Sequence, residues 1–158
     1  MSDIVVSTVC YDLDENKVVT INGAEHRFGY RHSVFMEKNM IILSSTLKLT
    51  RGDTVAIKAK MNELLGCRRE KQPLEYPSAG SVFKRPEGYF AGKLIEDAGL
   101  KGTRVGGAVV SPKHAGFIVN TGGATAKDVL SLIEIIKEKV FSLYGVALEC
   151  EIRFVGER

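Results

Sequence analysis

Three short segments hold the side chains whose types and spacing could do chemistry. Ala79-Gly80-Ser81-Val82-Phe83-Lys84-Arg85-Pro86 sets a serine beside a flexible glycine and just ahead of two cations. A hydroxyl placed this way can deliver a proton if its surroundings help it. Leu148-Glu149-Cys150-Glu151-Ile152-Arg153 lies near the end. Read as a strand, it puts Glu149, Glu151 and Arg153 on one face, with Cys150, Ile152 and Phe154 on the apolar face opposite. In Phe28-Gly29-Tyr30-Arg31-His32-Ser33-Val34-Phe35, an arginine sits inside an aromatic, glycine-bearing loop. A guanidinium is costly to bury without an anionic partner, so Arg31 either packs in an ion pair or awaits an anion. A serine, a carboxylate and a cation are parts of an active site. They are equally parts of an ordinary surface.

Other patterns are weaker. Gly106-Gly107 and Gly122-Gly123 belong to neither GxGxxG nor GxxxxGK[ST], so turn or close-packing glycines explain them better than a phosphate loop. His26, His32 and His114 are far apart in sequence, with no HExxH or HxH, and no metal site is expected. A hydrolase triad on Ser81 lacks the GxSxG elbow. Cys10, Cys67 and Cys150 are odd in number and widely spaced, which argues against a disulfide framework; all three are expected as reduced, buried or inert thiols.

Composition mostly excludes. The 158 residues suffice for one full core or two small lobes, and 44% hydrophobic with 26% charged residues is ordinary for a soluble globular chain. A net charge of +3, without an aromatic–basic run, gives no argument for nucleic acid and suits a small anionic ligand equally well. No apolar run reaches membrane-spanning length and no signal peptide opens the chain, so no membrane partner and a cytoplasmic location are expected.

The elements that must position these residues read as follows. Ile4 to Leu13 and Lys17 to Ile21, joined through Asp14-Glu15-Asn16, form a hairpin, and Met40 to Leu49 is a third strand. A lone three-stranded sheet with two partly apolar faces is marginal unless something covers it, so this lobe reads as unfinished. Thr50-Arg51-Gly52-Asp53 has capping-box spacing, opening a helix that runs through Val55, Ala59, Met61, Leu64 and Leu65 and ends in Cys67-Arg68-Arg69-Glu70-Lys71. The closing cations of that helix complement its dipole. Gln72 to Gly80 is a connector with two prolines. Tyr89 to Ala98 is a short helix stopped by Gly99, and Thr103 to Val110 and Phe117 to Asn120 are strands. Thr125-Ala126-Lys127-Asp128 caps the longest helix, where Val129, Leu132, Ile133, Ile136, Val140 and Leu143 recur at three- and four-residue steps before Gly145. Ala147 to Val155 is a final strand. Without regular βαβ alternation the class is α+β.

The segments at Phe28–Ser33, Gly80–Pro86 and Leu148–Arg153, in this order, resemble the UDP-N-acetylenolpyruvoylglucosamine reductase family. The likeness extends over Ala91–Glu96, Leu100–Gly102, Gly106–Ala108 and His114–Asn120, and so covers nearly all of the chain. The short connector before Ser81 and the Phe-Lys-Arg-Pro ending are similar to the family's compact subtype. The family has a flavin-binding domain ahead of the tyrosine–arginine loop, with glycine-rich segments for the FAD pyrophosphate, and none of that is found here. The expectation is therefore a truncated piece or a fragmentary gene product. Residues 1–71 would be the tail of the flavin domain. Residues 72–158 would be an α+β substrate-binding domain with a small mixed sheet and packed helices.

The resemblance implies reduction of UDP-N-acetylglucosamine enolpyruvate by NADPH through FAD, in peptidoglycan synthesis. It implies Arg31, Ser81 and Glu151 as catalytic residues. Arg31 and a protonated Glu151 would stabilise charge developing in the substrate carboxylate, and Ser81 would be the general acid. Lys71, Arg85, Lys101 and His114 would line the UDP-sugar site, and Arg153 would face the cofactor. Two other readings stay open: a catalytically silent nucleotide-sugar-binding fragment, and a partner protein whose exposed sheet edge, expected at Val5–Val9, completes another chain or a second copy of this one.

Overall fold

The computed structural model describes residues 2–156. The chain divides into two compact units, the first ending at Ile57 and the second beginning at Lys58.

In the first unit, β1 (Val5–Asp12), β2 (Lys17–Asn22) and β3 (Met40–Leu47) form an antiparallel sheet in the order β2-β1-β3. The hairpin turns where expected. The Asp12 carboxylate accepts from the N–H groups of Asp14 and Glu15 at 3.0 and 3.1 Å, and Asn16 takes a positive φ of 53°; short polar side chains favour both features. One face of β1 is buried at Thr8, Cys10 and Asp12, together with His26 and Val34 from the segment between β2 and β3. Buried polar groups there are satisfied: Thr8 Oγ1 lies 2.9 Å from His26 Nε2 and 3.2 Å from Ser45 Oγ. β3 stays exposed along nearly its whole length. Because β1 is the central strand, Ser7–Val9 is paired on both sides and the free edge expected over Val5–Val9 is confined to Val5 and Val6, which have no partner in β2; among the described residues the outer strands of this sheet are β2 and β3.

α1 (Thr54–Lys71) spans the point of division. It begins later than the Thr50 box implies. Asp53 is the capping residue, its carboxylate accepting from Ala56 N–H at 2.7 Å and its carbonyl from Ile57 N–H at 3.0 Å. No residue of α1 is buried.

The second unit contains β4 (Ser78–Ser81), α2 (Ala91–Asp97), β5 (Arg104–Val105), β6 (Ala108–Val110), β7 (Phe117–Asn120) and α3 (Ala126–Tyr144). Its sheet runs β4-β7-β6-β5 and every pairing is antiparallel, where a mixed sheet was expected. α3 is built as the sequence dictates. Thr125 Oγ1 accepts from Asp128 N–H at 3.1 Å, Asp128 accepts from Thr125 N–H at 2.9 Å, and Gly145 ends the helix at φ 67°. Leu132, Ile133, Ile136 and Val140 are fully buried and share one core with Leu94 and Ile95 of α2 and Val110 and Ile118 of the sheet. Each such side chain contributes about 1.5–3 kcal/mol by leaving water. Gly107 is a packing glycine. A Cβ there would lie 2.3 Å from the Gly122 carbonyl oxygen and 2.4 Å from Ala124 N, so the two glycine pairs meet across a turn.

The closing segment is not the strand expected over Ala147–Val155. Pairing is limited to a bridge between Phe83 and Cys150, flanked by Lys84 N–H to Glu149 O at 2.9 Å and Glu151 N–H to Val82 O at 2.8 Å. The opposing segment soon reaches Pro86, which has no N–H to continue a ladder. Cys10 is buried and Cys150 half-buried, and burial pushes both thiols up; Cys67 is free and exposed. The class is α+β.

Candidate functional site

Ser81 closes β4 directly after Gly80, whose φ of 84° turns the backbone there. The next residue is laced on both sides. Val82 N–H donates to Gly116 O at 2.9 Å, and Val82 O accepts from Glu151 N–H at 2.8 Å. The segment carrying Ser81 is thereby fixed between the start of β7 and the closing segment that carries Glu151. Ser81 is exposed, and its Oγ lies 3.5 Å from Phe83 O, at the weak limit of a hydrogen bond. Glu151 is half-buried. Glu149, expected on the same face, instead pairs with Lys84 at 3.0 Å in open solvent. Arg153 is exposed beyond the last pairing.

Gly116 joins two of the expected residues. A Cβ there would lie 3.0 Å from His114 Cε1 and 3.6 Å from Ser81 Oγ. The His114 ring is held from several sides: Nδ1 accepts from Gly116 N–H at 3.1 Å, and Phe117 meets the ring edge-on at 4.9 Å. Gly92 of α2 also approaches closely, a Cβ there meeting Cε1 at 3.3 Å. With Nδ1 accepting, the neutral ring carries its proton on Nε2 and is a donor without being charged.

His114 lines a cavity of about 250 Å³ together with Phe90, Gly92, Lys93, Glu96 and Lys113. Arg85 stacks on one wall, its Cζ 4.0 Å above the Phe90 ring, while its Nε donates to Tyr89 O at 3.3 Å. Lys101 pairs with another wall residue, Glu96, at 2.6 Å, and that hydrogen bond holds the Glu96 carboxyl below the usual carboxylate range. Lys113 donates to Arg69 O at 2.8 Å, tying the last turn of α1 to the cavity wall. Lys71 is exposed, two residues past Arg69. Arg85, Lys101 and His114 are thus brought around one cavity. Lys93 and Lys113 were missed; the one signal for Lys113 was its place beside His114 after Pro112. Cations and a neutral donor around a small cavity suit a phosphorylated ligand.

Arg31 belongs to the first unit. Gly29 and His32 exchange backbone hydrogen bonds at 3.0 and 3.2 Å, leaving Tyr30 and Arg31 as a two-residue tip. Tyr30 is 69% exposed, and the Arg31 Cζ lies 5.4 Å from its ring centroid. Arg31 has a φ of 55° and Arg27 one of 48°, both in the left-handed region that side chains rarely adopt. Each costs about 1–3 kcal/mol and persists only where its surroundings enforce it.

A family model described as UDP-N-acetylenolpyruvoylglucosamine reductase, C-terminal domain, matches residues 72–155. Among curated proteins, the UDP-N-acetylenolpyruvoylglucosamine reductase of Caldanaerobacter subterraneus subsp. tengcongensis is 53% identical over 158 residues, covering 100% of this chain and 52% of that protein. The reductase of the same name from Clostridium novyi is 50% identical over 157 residues, covering 99% of this chain and 51% of its own length. A crystal structure of UDP-N-acetylenolpyruvylglucosamine reductase from Thermus caldophilus superposes with a TM-score of 0.82 at 34% identity, over 96% of this chain and 53% of that one. The chain spans about half the length of the curated relatives it matches.

Proposed function

This chain belongs to the UDP-N-acetylenolpyruvoylglucosamine reductase family, and from that premise we propose that it carries the substrate-binding half of an enzyme that reduces UDP-N-acetylglucosamine enolpyruvate to UDP-N-acetylmuramate. In this reading residues 72–158 are the substrate-binding domain and residues 1–71 the tail of the flavin-binding domain. The observation that carries it is the lacing of Val82 between Gly116 and Glu151, which sets Ser81 beside the His114 cavity.

The resemblance implies FAD, reduced by NADPH, as the source of hydride. Neither long helix offers a free start for the pyrophosphate of either. Such a group is held by free N–H groups at a helix start, and at both long helices a carboxylate already occupies that place, Asp53 at α1 and Asp128 at α3. Arg153, expected at the cofactor, lies exposed on the closing segment. The chain's own part concerns the substrate.

Reduction of the enolpyruvyl double bond adds hydride at the carbon remote from the carboxylate and a proton at the adjacent one. Negative charge builds in the carboxylate between these events. In this reading Arg31 and Glu151 are the residues that stabilise that charge; contacts that strengthen as charge develops lower the barrier. Ser81 delivers the proton. His114, Arg85, Lys101 and Lys71 hold the UDP-sugar. The same reading carries a cytoplasmic location and self-association through the open sheet edges.

Titration of the chain with UDP-N-acetylglucosamine tests the binding half. Saturable shifts of the His114 and Gly116 amide resonances, weakened in His114→Ala, are expected; a flat titration overturns it. A second reading, a nucleotide-sugar-binding fragment without catalysis, is favoured by the occupied helix starts. The purified chain should show no flavin band in its visible spectrum, and a stoichiometric band surviving gel filtration would overturn the account of those helix starts.

A further inference from the structure

The tip that presents Arg31 is gripped by a carboxylate with no role in the chemistry just described. Glu37 reaches Arg27 with one oxygen, at 2.5 Å, and His32 Nε2 with the other, at 2.7 Å. These two partners flank the tip: Arg27 is the strained residue before it, and His32 directly follows strained Arg31 and closes the two-residue turn with Gly29. Beneath the loop, buried His26 stacks on Phe28 at 4.9 Å and meets Phe35 edge-on at 5.9 Å, while its Nδ1 bonds Gly23 O at 2.9 Å. Aromatic packing thus fixes the root of the loop, and the Glu37 carboxylate bridges two residues of its exposed part.

We infer that Glu37 is a positioning residue for Arg31, which it holds in place through Arg27 and His32. Two left-handed non-glycine residues would relax if released, because nothing in their own backbone preference keeps them there. Exposed ion pairs contribute little to global stability. The effect of this one is local, on the direction in which the tip points. The consequence for turnover rests on the catalytic reading of Arg31; the consequence for tip order does not.

Backbone relaxation of the full chain, with Glu37→Ala, His32→Gln and Arg31→Lys variants, tests the clamp. In the parent chain the order parameters of Tyr30 and Arg31 should match rigid backbone, about 0.85, and in Glu37→Ala they should fall below about 0.6, with the thermal midpoint unchanged. His32→Gln can still donate to Glu37 and should keep the tip ordered. In a holoenzyme carrying this chain, Glu37→Ala should lower kcat about 10- to 100-fold with little change in KM, as expected of a misplaced group that acts only as charge develops. An ordered tip in Glu37→Ala overturns the clamp. Tip order lost in Glu37→Ala, with turnover unchanged in Arg31→Lys, upholds the clamp and overturns the catalytic reading of Arg31 instead.

Discussion

Gly116 shows why the residue scale was only partly legible. Ser81 and His114 stood out in the sequence because each sits in a recognisable segment. Gly116 did not, since what it contributes is empty space. A Cβ there would press on the His114 ring at 3.0 and 3.2 Å and lie 3.6 Å from Ser81 Oγ. Gly116→Ala should therefore fold, with the His114 ring displaced and affinity for UDP-N-acetylglucosamine reduced several-fold by calorimetry; undiminished affinity would show that the ring's place does not matter. Ser81 carries a sharper expectation. In a holoenzyme carrying this chain, Ser81→Ala should slow product formation from the enolpyruvyl substrate by about 10²–10⁴-fold, the usual range for a lost general acid. Stopped-flow measurement of flavin reduction by NADPH serves as the control, since that step should be nearly intact. Equal loss in both half-reactions would mean that Ser81 supports structure.

Elements were legible where local chemistry decides them. α3 announced both its ends, and the structure forms the Thr125–Asp128 box and the Gly145 stop. Most of β4 falls in the span Gln72–Gly80 that its two prolines mark as a connector, and Ser78-Ala79-Gly80-Ser81 has no β-branched or aromatic residue; it becomes a strand because β7 offers an edge. The closing segment failed the opposite way. Its alternation was strand-like, yet its partner ran out after three residues. The capping box has a measurable signature. Thr125→Ala should cost about 1 kcal/mol in denaturant unfolding. The hydrogen bond from Thr125 N–H holds the Asp128 carboxyl below the usual carboxylate range. A carboxyl depressed in the folded state stabilises fully above the ordinary aspartate value, and the contribution is lost as pH falls through the folded one. Asp128→Asn should thus be less stable than the parent near neutrality, and the gap should close on acidification below the aspartate range. A gap independent of pH would argue against the box. Gly107→Ala should be worse than either, because backbone atoms stand at 2.3 and 2.4 Å from the added carbon. Overpacking of this kind costs about 1–3 kcal/mol or more.

At the scale of the whole chain, the two units differ in how much core each has. The second unit has a continuous core built on α3, whereas the first buries one face of β1 and leaves Ile41, Leu43 and Leu47 of β3 roughly half exposed. What the sequence could not give was strand order, because register and neighbours depend on tertiary pairing. That order changes the expectation for exchange. Ser7–Val9 lies in the central strand, paired with β2 on one side and β3 on the other, so its amides should be protected; those of α1, which buries no residue, should exchange far faster than Ile133–Val140. It also moves the expected site of self-association to the outer edge of β3, an outer strand with exposed aliphatic side chains. A charge there is the device natural edges use against pairing. Sedimentation velocity should show the chain associating with rising concentration and Leu43→Lys suppressing that association without lowering the melting temperature. A chain that stays monomeric throughout, or a variant that associates as the parent does, would remove β3 as the pairing edge.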